Sequence, residues 1–273
     1  MVKKVDNDIP IVDRLLTLYF RRGWRGSYRI WHLLNSQEMK PFVKANNKYG
    51  TQLLLSPLEY IDSFVLLAGY YESEVLEAIL PFLHSGAVFW DVGANFGLHA
   101  ITAKRLKPEA KVICFEPSAL MIARLQANAR LNDVSVDVVN AALTDCPGFR
   151  YLHIAEGNAG MTTLKPLATA SYRSKVLCWS DTGDNLVESR TVPAPTVIKL
   201  DVEGSELDVL RGLKTVLRES NLRAIVVEAD PNLLIESDSE IYMILRAAGF
   251  NIKMLTRNER TQHHLENFIA VRN

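Results

Sequence analysis

Residues 89–97 read Phe89-Trp90-Asp91-Val92-Gly93-Ala94-Asn95-Phe96-Gly97. A compact apolar run ends on an acid, two glycines follow, and a helical pattern then continues to Lys107. This is a strand, a tight turn and a helix in succession. Glycines in such a turn let the backbone approach a ligand, and the helix N-terminus beyond it favours negative charge. The turn departs from the dinucleotide fingerprint G-x-G-x-x-G, because Asn95 occupies the middle glycine position and Gly97 comes one residue early. A tight structural turn without a ligand is the alternative reading.

Working outward, the same rhythm repeats. Lys111 to Glu116 reads as a second strand, with Pro117-Ser118 opening a helix to Leu131, and Val134 to Leu143 reads as a third. Thr196 to Asp201 is a fourth, followed by a helix over Ser205–Leu217 whose Ser205 and Asp208 approximate a capping box. Arg223 to Glu228 is a fifth, Ser239 to Ala248 a helix stopped by Gly249, and Phe250–Leu255 and Asn267–Arg272 are the last two. Near-continuous apolar strands alternating with helices predict a parallel sheet covered on both faces. The short connection between the closing pair predicts an antiparallel final strand.

The carboxylates at the strand ends carry the chemistry. Asp91 would repel a pyrophosphate pressed into the glycine turn and welcome an ammonium, so the turn favours a cofactor with an amino-acid end, S-adenosylmethionine above all. Glu116, nineteen residues past Gly97, can accept both ribose hydroxyls of a nucleoside lying across the strand ends. That spacing serves NAD and S-adenosylmethionine equally, so an NAD-dependent oxidoreductase remains an alternative at this point. Asp201 and Glu203 emerge at the same edge and can hold a methionine end, a metal or a substrate hydroxyl as general base. Lys199 can instead pair with one of them. No His cluster accompanies these acids, so no metal is assigned.

Composition bounds the rest. The 273 residues hold 31 Lys+Arg, 31 Asp+Glu and 48% hydrophobic residues, which excludes a wholly disordered chain and a uniformly basic nucleic-acid binder. No apolar run approaches the ~18–20 residues that span a bilayer. The opening Met1 to Asp8 places acids where a secretory signal needs its apolar core, and Cys114, Cys146 and Cys178 form no disulfide framework, so a cytoplasmic setting is expected. The zero net charge is uneven. Residues 1–50 hold ten basic and four acidic side chains, and the remainder carries an equal acidic excess.

Taken together, residues 89–97, Phe115-Glu116-Pro117 and Ile198-Lys199-Leu200-Asp201-Val202-Glu203-Gly204 resemble the FkbM-type family of S-adenosylmethionine-dependent methyltransferases. Gly69-Tyr70-Tyr71-Glu72, Asn128, Asn140 to Leu143, Asn158 to Thr163 and Asp184-Asn185-Leu186 match too, so the resemblance covers roughly residues 65–230. It implies an α/β, class I methyltransferase (Rossmann-like) fold: a seven-stranded, mostly parallel sheet with an antiparallel last strand. It also implies O-methylation of a hydroxyl on a small molecule or glycan, with S-adenosylhomocysteine as product. On this resemblance Asp91, Gly93, Asn95 and Gly97 frame the methionine part of the cofactor. Glu116 binds the ribose, Pro117 borders the adenine, and Asn140 and Ala142 lie on the adenine's other side. Asp201 and Glu203 stand beside the transferring methyl as the catalytic pair, with Asp201 also touching cofactor. Tyr70, Tyr71 and Glu228 are assigned to the substrate pocket. His99 stands where relatives commonly carry an aromatic residue.

The sequence divides into a helical amino-terminal extension (residues 1–83) and a methyltransferase domain (residues 84–273). In the extension, Arg21, Arg22, Arg25 and Arg29 interleave with aromatics, which suits either a packed amphipathic helix or contact with an anionic surface such as a membrane face. Nucleic acid is disfavoured by the neutral total. A non-catalytic binding or membrane-adaptor protein on the same fold is a further alternative. Phe149 to Val192 is long for a strand-to-helix connection and predicts an extra hairpin beside the site, where acceptor specificity would reside.

Overall fold

The computed structural model describes residues 42–57, 59–156, 159–166, 171–229, 231, 239–256 and 265–272. The basic segment with Arg21, Arg22, Arg25 and Arg29, and also Asn158, lies outside the described residues.

An antiparallel hairpin, β1 (Val43–Asn46) and β2 (Gln52–Leu55), precedes helices α1 (Tyr60–Ala68) and α2 (Ser73–Ile79). The alternating region then gives β3 (Val88–Val92), α3 (Leu98–Leu106), β4 (Lys111–Phe115), α4 (Ala119–Leu131) and β5 (Asp137–Val139). A three-stranded insertion follows: β6 (Ala142–Leu143), β7 (Gly148–Ala155) and β8 (Tyr172–Asp181). After α5 (Gly183–Glu188) come β9 (Val197–Leu200), α6 (Glu206–Arg211), β10 (Ala224–Ala229), α7 (Glu240–Ala247), β11 (Asn251–Met254) and β12 (Glu266–Val271).

The main sheet has seven strands in the order β11-β12-β10-β9-β3-β4-β5. The pairs β3–β4, β4–β5, β3–β9 and β9–β10 are parallel, and β12 runs antiparallel to both β10 and β11. The chain therefore builds outward from β3 to β4 and β5 on one side and returns later to add β9 on the other. The carboxyl ends of β3, β4 and β9 border the crevice where ligands of open α/β sheets bind.

Strand alternation sorts the side chains. Trp90, Val92, Ile198, Leu200, Ile225 and Val227 face a core closed by Leu186 of α5, Val209 and Leu210 of α6, and Leu245 of α7. Phe89, Val112, Val197 and Val226 face the opposite core, built with Leu53, Val65, Leu76, Ala100 and Leu125. In that second layer Asn128 Nδ2 donates to Phe96 O (3.0 Å) while its Oδ1 accepts from Leu54 N (2.8 Å), which ties β2 to the turn after β3.

Three sequence readings need correction. Val134 to Leu143 is not one strand. Ala141 N donates to Val139 O (2.9 Å) in a tight turn, and Ala142-Leu143 leaves the main sheet to pair in parallel with Ser180-Asp181. The helix over Ser205–Leu217 ends at Arg211, because Thr215 and Val216 donate their amides to the Asp184 carboxylate instead of continuing the helical ladder. Ser205 makes no capping bond. Glu206 Oε1 accepts from Val202 N and Gly204 N, both at 3.1 Å, and does the work assigned to the capping box.

Arg124 on α4 and Asp62 on α1 form a buried pair at 2.6 Å, with side-chain exposures of 6% and 1%. Burial pushes the Asp62 carboxyl up to about 6 while Arg124 pulls it down, and the guanidinium packs over the Phe96 ring at 4.6 Å. Arg124→Met removes one partner and strands the other. Denaturant unfolding should show a loss of about 3–5 kcal/mol, and a loss below ~1 kcal/mol would mean that the pair is dispensable.

Candidate functional site

The turn after β3 is locked from below. Gly93 N and Ala94 N both donate to Phe115 O at the end of β4 (3.0 and 3.1 Å). Gly93 adopts φ +79°, and a Cβ built on it would lie 1.9 Å from Asp201 O, so the ends of β3 and β9 touch through a position open to glycine alone. Asn95 also has a positive φ of 51°, a conformation that Asn tolerates better than most side chains. Gly97 (φ +86°) opens α3, and a Cβ there would meet Ile101 Cδ1 at 2.7 Å.

Glu116 closes the turn from the next strand. Its Oε2 accepts from Asn95 N and its Oε1 from Ser118 N, each at 2.8 Å, and burial raises its pKa to about 7 against those two bonds. The side chain is 6% exposed and lines a cleft over the carboxyl ends of β3, β4 and β9. With its open mouth included the cleft measures about 930 Å³, enough for a nucleoside-sized ligand.

Asp91 does not line this cleft. Register pairs Asp91 with Lys199 on one face of the sheet, and of the two only Lys199 reaches the cleft lining. Asp91 Oδ2 accepts from Ala100 N (3.1 Å), and Oδ1 stands 3.6 Å from Lys199 Nζ. Lys199 is 5% exposed and donates to Asp201 Oδ2 at 2.9 Å. Burial opposes its charge, but Asp201 and Asp91 outweigh burial and raise its pKa. Lys199 is thus a buried cation clamped between two carboxylates.

Asp201 and Glu203 both line the cleft. Glu203 sits at φ 54°, and its carboxyl is pushed up to about 9 by burial and then by Asp201, Glu206 and Glu72, with Lys199 acting against them. Near neutrality it therefore holds a proton. The inserted sheet reaches the same loop: Thr163 Oγ1 donates to Glu203 O (2.7 Å), Thr163 bridges to His153 of β7, and Leu152 and Thr162 form a cleft wall. The extra hairpin read from the sequence is this β7–β8 pair, and its inner side borders the site.

Of the residues singled out in the sequence, Gly93, Asn95, Glu116, Pro117, Ala142, Asp201, Glu203 and Tyr71 meet around the cleft. Asp91, Gly97, Asn140, Tyr70 and Glu228 are not among its lining residues. Asn140 is exposed beyond β5, and Glu228 pairs across to Asn267 of β12. Tyr70 is fully buried, with its hydroxyl 3.3 Å from Leu98 O and from His99 Nδ1. His99 does line the cleft, and burial, reinforced by Lys199, holds its pKa well below 6.5, so its imidazole is neutral. Sequence reasoning does not single out Ser205 as a wall, whereas Glu72 belongs to the Gly69-to-Glu72 segment read as a pocket roof. Ser205 directly follows the Asp201-to-Gly204 run, a proximity that could have marked it. Among the described residues no His, Cys, Asp or Glu group has a metal-holding arrangement.

Comparison with known proteins places these features in context. A family model described as Methyltransferase FkbM domain matches residues 91–252. Hexuronic acid methyltransferase AglP of Haloferax volcanii is 30% identical over 205 residues, which is 74% of this chain and 80% of that protein. The 31-O-demethyl-FK506 methyltransferase FkbM of Streptomyces tacrolimicus is 28% identical over 199 residues, 62% of this chain and 75% of that protein. Among solved structures, precorrin-6y C5,15-methyltransferase of Geobacter metallireducens aligns over 73% of this chain and 88% of its own, with TM-score 0.45 and 14% identity.

Proposed function

The chain belongs to the FkbM methyltransferase family, and on that premise we propose that it transfers a methyl group from S-adenosylmethionine to a hydroxyl of a small molecule or glycan, within the cleft over β3, β4 and β9. The chain is a methyltransferase with S-adenosylmethionine as its methyl donor, and family membership sets the oxidoreductase alternative aside. The observation that carries the site assignment is the convergence of the Gly93–Gly97 turn, Glu116, Asp201 and Glu203 on one cleft.

The lining fits that cofactor. Asn95 Oδ1 and Ser205 Oγ are buried polar atoms that find no hydrogen-bond partner among the described residues, and both residues line the cleft. Orphaned polar atoms at a cleft wall are groups that a polar ligand would satisfy. Each Glu116 oxygen accepts one backbone amide and keeps acceptor capacity for a ribose diol. Glu72 and Asp201 line the cleft as well, and an ionised carboxylate there gives a field suited to a cationic amino-acid end, to which Glu203 adds once it loses its proton.

When bound, the sulfonium supplies an already activated methyl, so the protein's part is to orient the acceptor, exclude water and receive one proton. Asp201 is the proton acceptor in this reading. Its Oδ2 is held by Lys199, which fixes the carboxylate, while Glu203 already carries a proton near neutrality. General-base help of this kind contributes about 10²–10⁴-fold. Asp201→Asn should lower kcat by that margin at saturating S-adenosylmethionine, where a loss of cofactor affinity does not contribute.

The direct test is calorimetry with S-adenosylmethionine and NAD, followed by transfer of labelled methyl to p-nitrophenyl glucuronide and other hydroxylated probes. S-adenosylmethionine should bind and NAD should not. Glu116→Gln should weaken S-adenosylmethionine by roughly 10- to 100-fold, the worth of a charge-assisted bond. Unchanged affinity in that variant would remove Glu116 from the site. NMR of the product distinguishes a methoxy group from N- or C-methylation, and either of the latter overturns the hydroxyl assignment.

A pH dependence follows from Glu203. Its proton is lost near 4.5 in the unfolded chain and near 9 in the folded one. Its contribution to folding is therefore fully present below about 4.5 and lost as pH rises through about 9. A cationic ligand favours the ionised form, so binding should release a proton. Affinity for S-adenosylmethionine should climb from neutrality to about 9, and Glu203→Gln should flatten that profile. Calorimetry in buffers of different ionisation enthalpy reads the proton directly.

A further inference from the structure

The inserted sheet buries part of one face, where Val176 and Ser174 stay exposed, and leaves the other in solvent, and that solvent face is not polar. Register pairs Phe149 with Trp179 and Tyr151 with Leu177, so period-two alternation puts all four on one face of β7–β8. They are 73%, 42%, 50% and 61% exposed, respectively. Phe149 and Trp179 meet edge to face at 5.3 Å. On the reverse face Leu152, Cys178 and Ser180 are buried, which accounts for the folding role of the hairpin. Among the described residues nothing in the packing requires the four outward residues to be large and apolar. Outward positions of a half-solvated sheet ordinarily carry polar side chains, and a contiguous apolar patch marks an interaction site.

The charges on that face have one sign. The next outward pair is His153 and Lys175, with Lys175 Nζ 4.3 Å from the Tyr151 ring centroid, and Arg173, unpaired at the register shift of β8, is exposed beside them. No Asp or Glu occupies an outward position from Phe149 to His153 or from Arg173 to Trp179. This is a local reversal in a chain whose residues beyond 50 carry an acidic excess.

We propose that the outer face of the β7–β8 hairpin docks on an anionic lipid surface, with Phe149, Tyr151, Leu177 and Trp179 entering the interface and Arg173 and Lys175 meeting headgroup phosphates. Aromatic rings beside cations are the chemistry of the membrane–water boundary, and each cation near an anionic surface adds to the attraction. A second copy of the chain suits the face less well. Its matching face would bring further cations and no acid to meet them. The proposal does not depend on the methyl-transfer reading. Because Leu152 of the same strand lines the cleft from the opposite side, docking would hold the cleft one sheet layer from the lipid.

The test is flotation of the full chain with vesicles of phosphatidylcholine alone and of phosphatidylcholine mixed with phosphatidylglycerol, at low and raised salt. The chain should float with the anionic vesicles and be released by salt. Two double variants, F149S with L177S and R173A with K175A, should each reduce partitioning by roughly tenfold or more. Their circular dichroism and S-adenosylmethionine affinity should match the parent chain. Absence of flotation overturns the proposal. So does flotation undiminished in both variants, since another surface would then be responsible. A stable dimer in sedimentation that F149S with L177S dissociates, without vesicle binding, also overturns it and assigns the face to self-association.

Discussion

Gly93→Ala should yield a chain that folds poorly and binds no S-adenosylmethionine. Two costs combine. An alanine at φ +79° enters left-handed backbone space at about 1–2 kcal/mol. Its Cβ would also stand 1.9 Å from Asp201 O and 3.0 Å from Asp201 C. Those are backbone atoms at the end of a central strand, so relief requires β3 and β9 to part where Gly93, Ala94 and Asp201 are hydrogen-bonded to neighbouring strands. Gly86→Ala is the internal control: its φ is +81°, with nothing within 4 Å of the added Cβ. Thermal unfolding of both variants separates the conformational cost, which they share, from the contact cost, which only Gly93 bears. Equal melting temperatures would mean that the strand ends separate easily and that the cleft floor is not rigid.

Lys199→Met should produce the second large effect. It leaves Asp91 and Asp201 facing one another without their shared cation, and breaking a buried ion pair costs about 3–5 kcal/mol. The sign of the pH response identifies the cause. Asp91 is 1% exposed, and without the ammonium its carboxyl takes up a proton readily, so the variant should gain stability on mild acidification relative to the parent chain. Adding Asp91→Asn should recover part of the loss, because one uncompensated charge disappears. A cycle of the two changes measures the coupling. Additive losses would show that Asp91 and Lys199 act independently despite their paired register.

Much of this architecture was legible in the sequence because its signals are local. Glycine spacing, an acid at each strand end and a period that switches between two and 3.6 all lie within ten-residue windows. What escaped depends on partners far apart in the chain. Asp62 and Arg124 are separated by 62 residues, and Leu54 and Asn128 by 74, with nothing nearby that announces either contact. Ala142-Leu143 looks like the tail of a strand until β8 offers it a different neighbour. The sequence likewise located Asp91 before the glycine turn, but parity decides which way its side chain points, and the register with Lys199 turned it under the floor. The protonated state of Glu203 arises from Asp201, Glu206 and Glu72 converging in space, two of them close in sequence and one over a hundred residues away.

The double engagement of Glu116 bears on how relatives of this chain can be interpreted. Both of its oxygens hold backbone amides of the turn, so a descendant that had lost methyl transfer would still be selected to keep it for folding. Persistence of that glutamate in a sequence is therefore poor testimony to turnover. Ser205 lines the cleft, and its side-chain oxygen bonds nothing among the described residues, so it has no such structural duty to shelter it. Its loss in a lineage would be the earlier sign that catalysis had been abandoned.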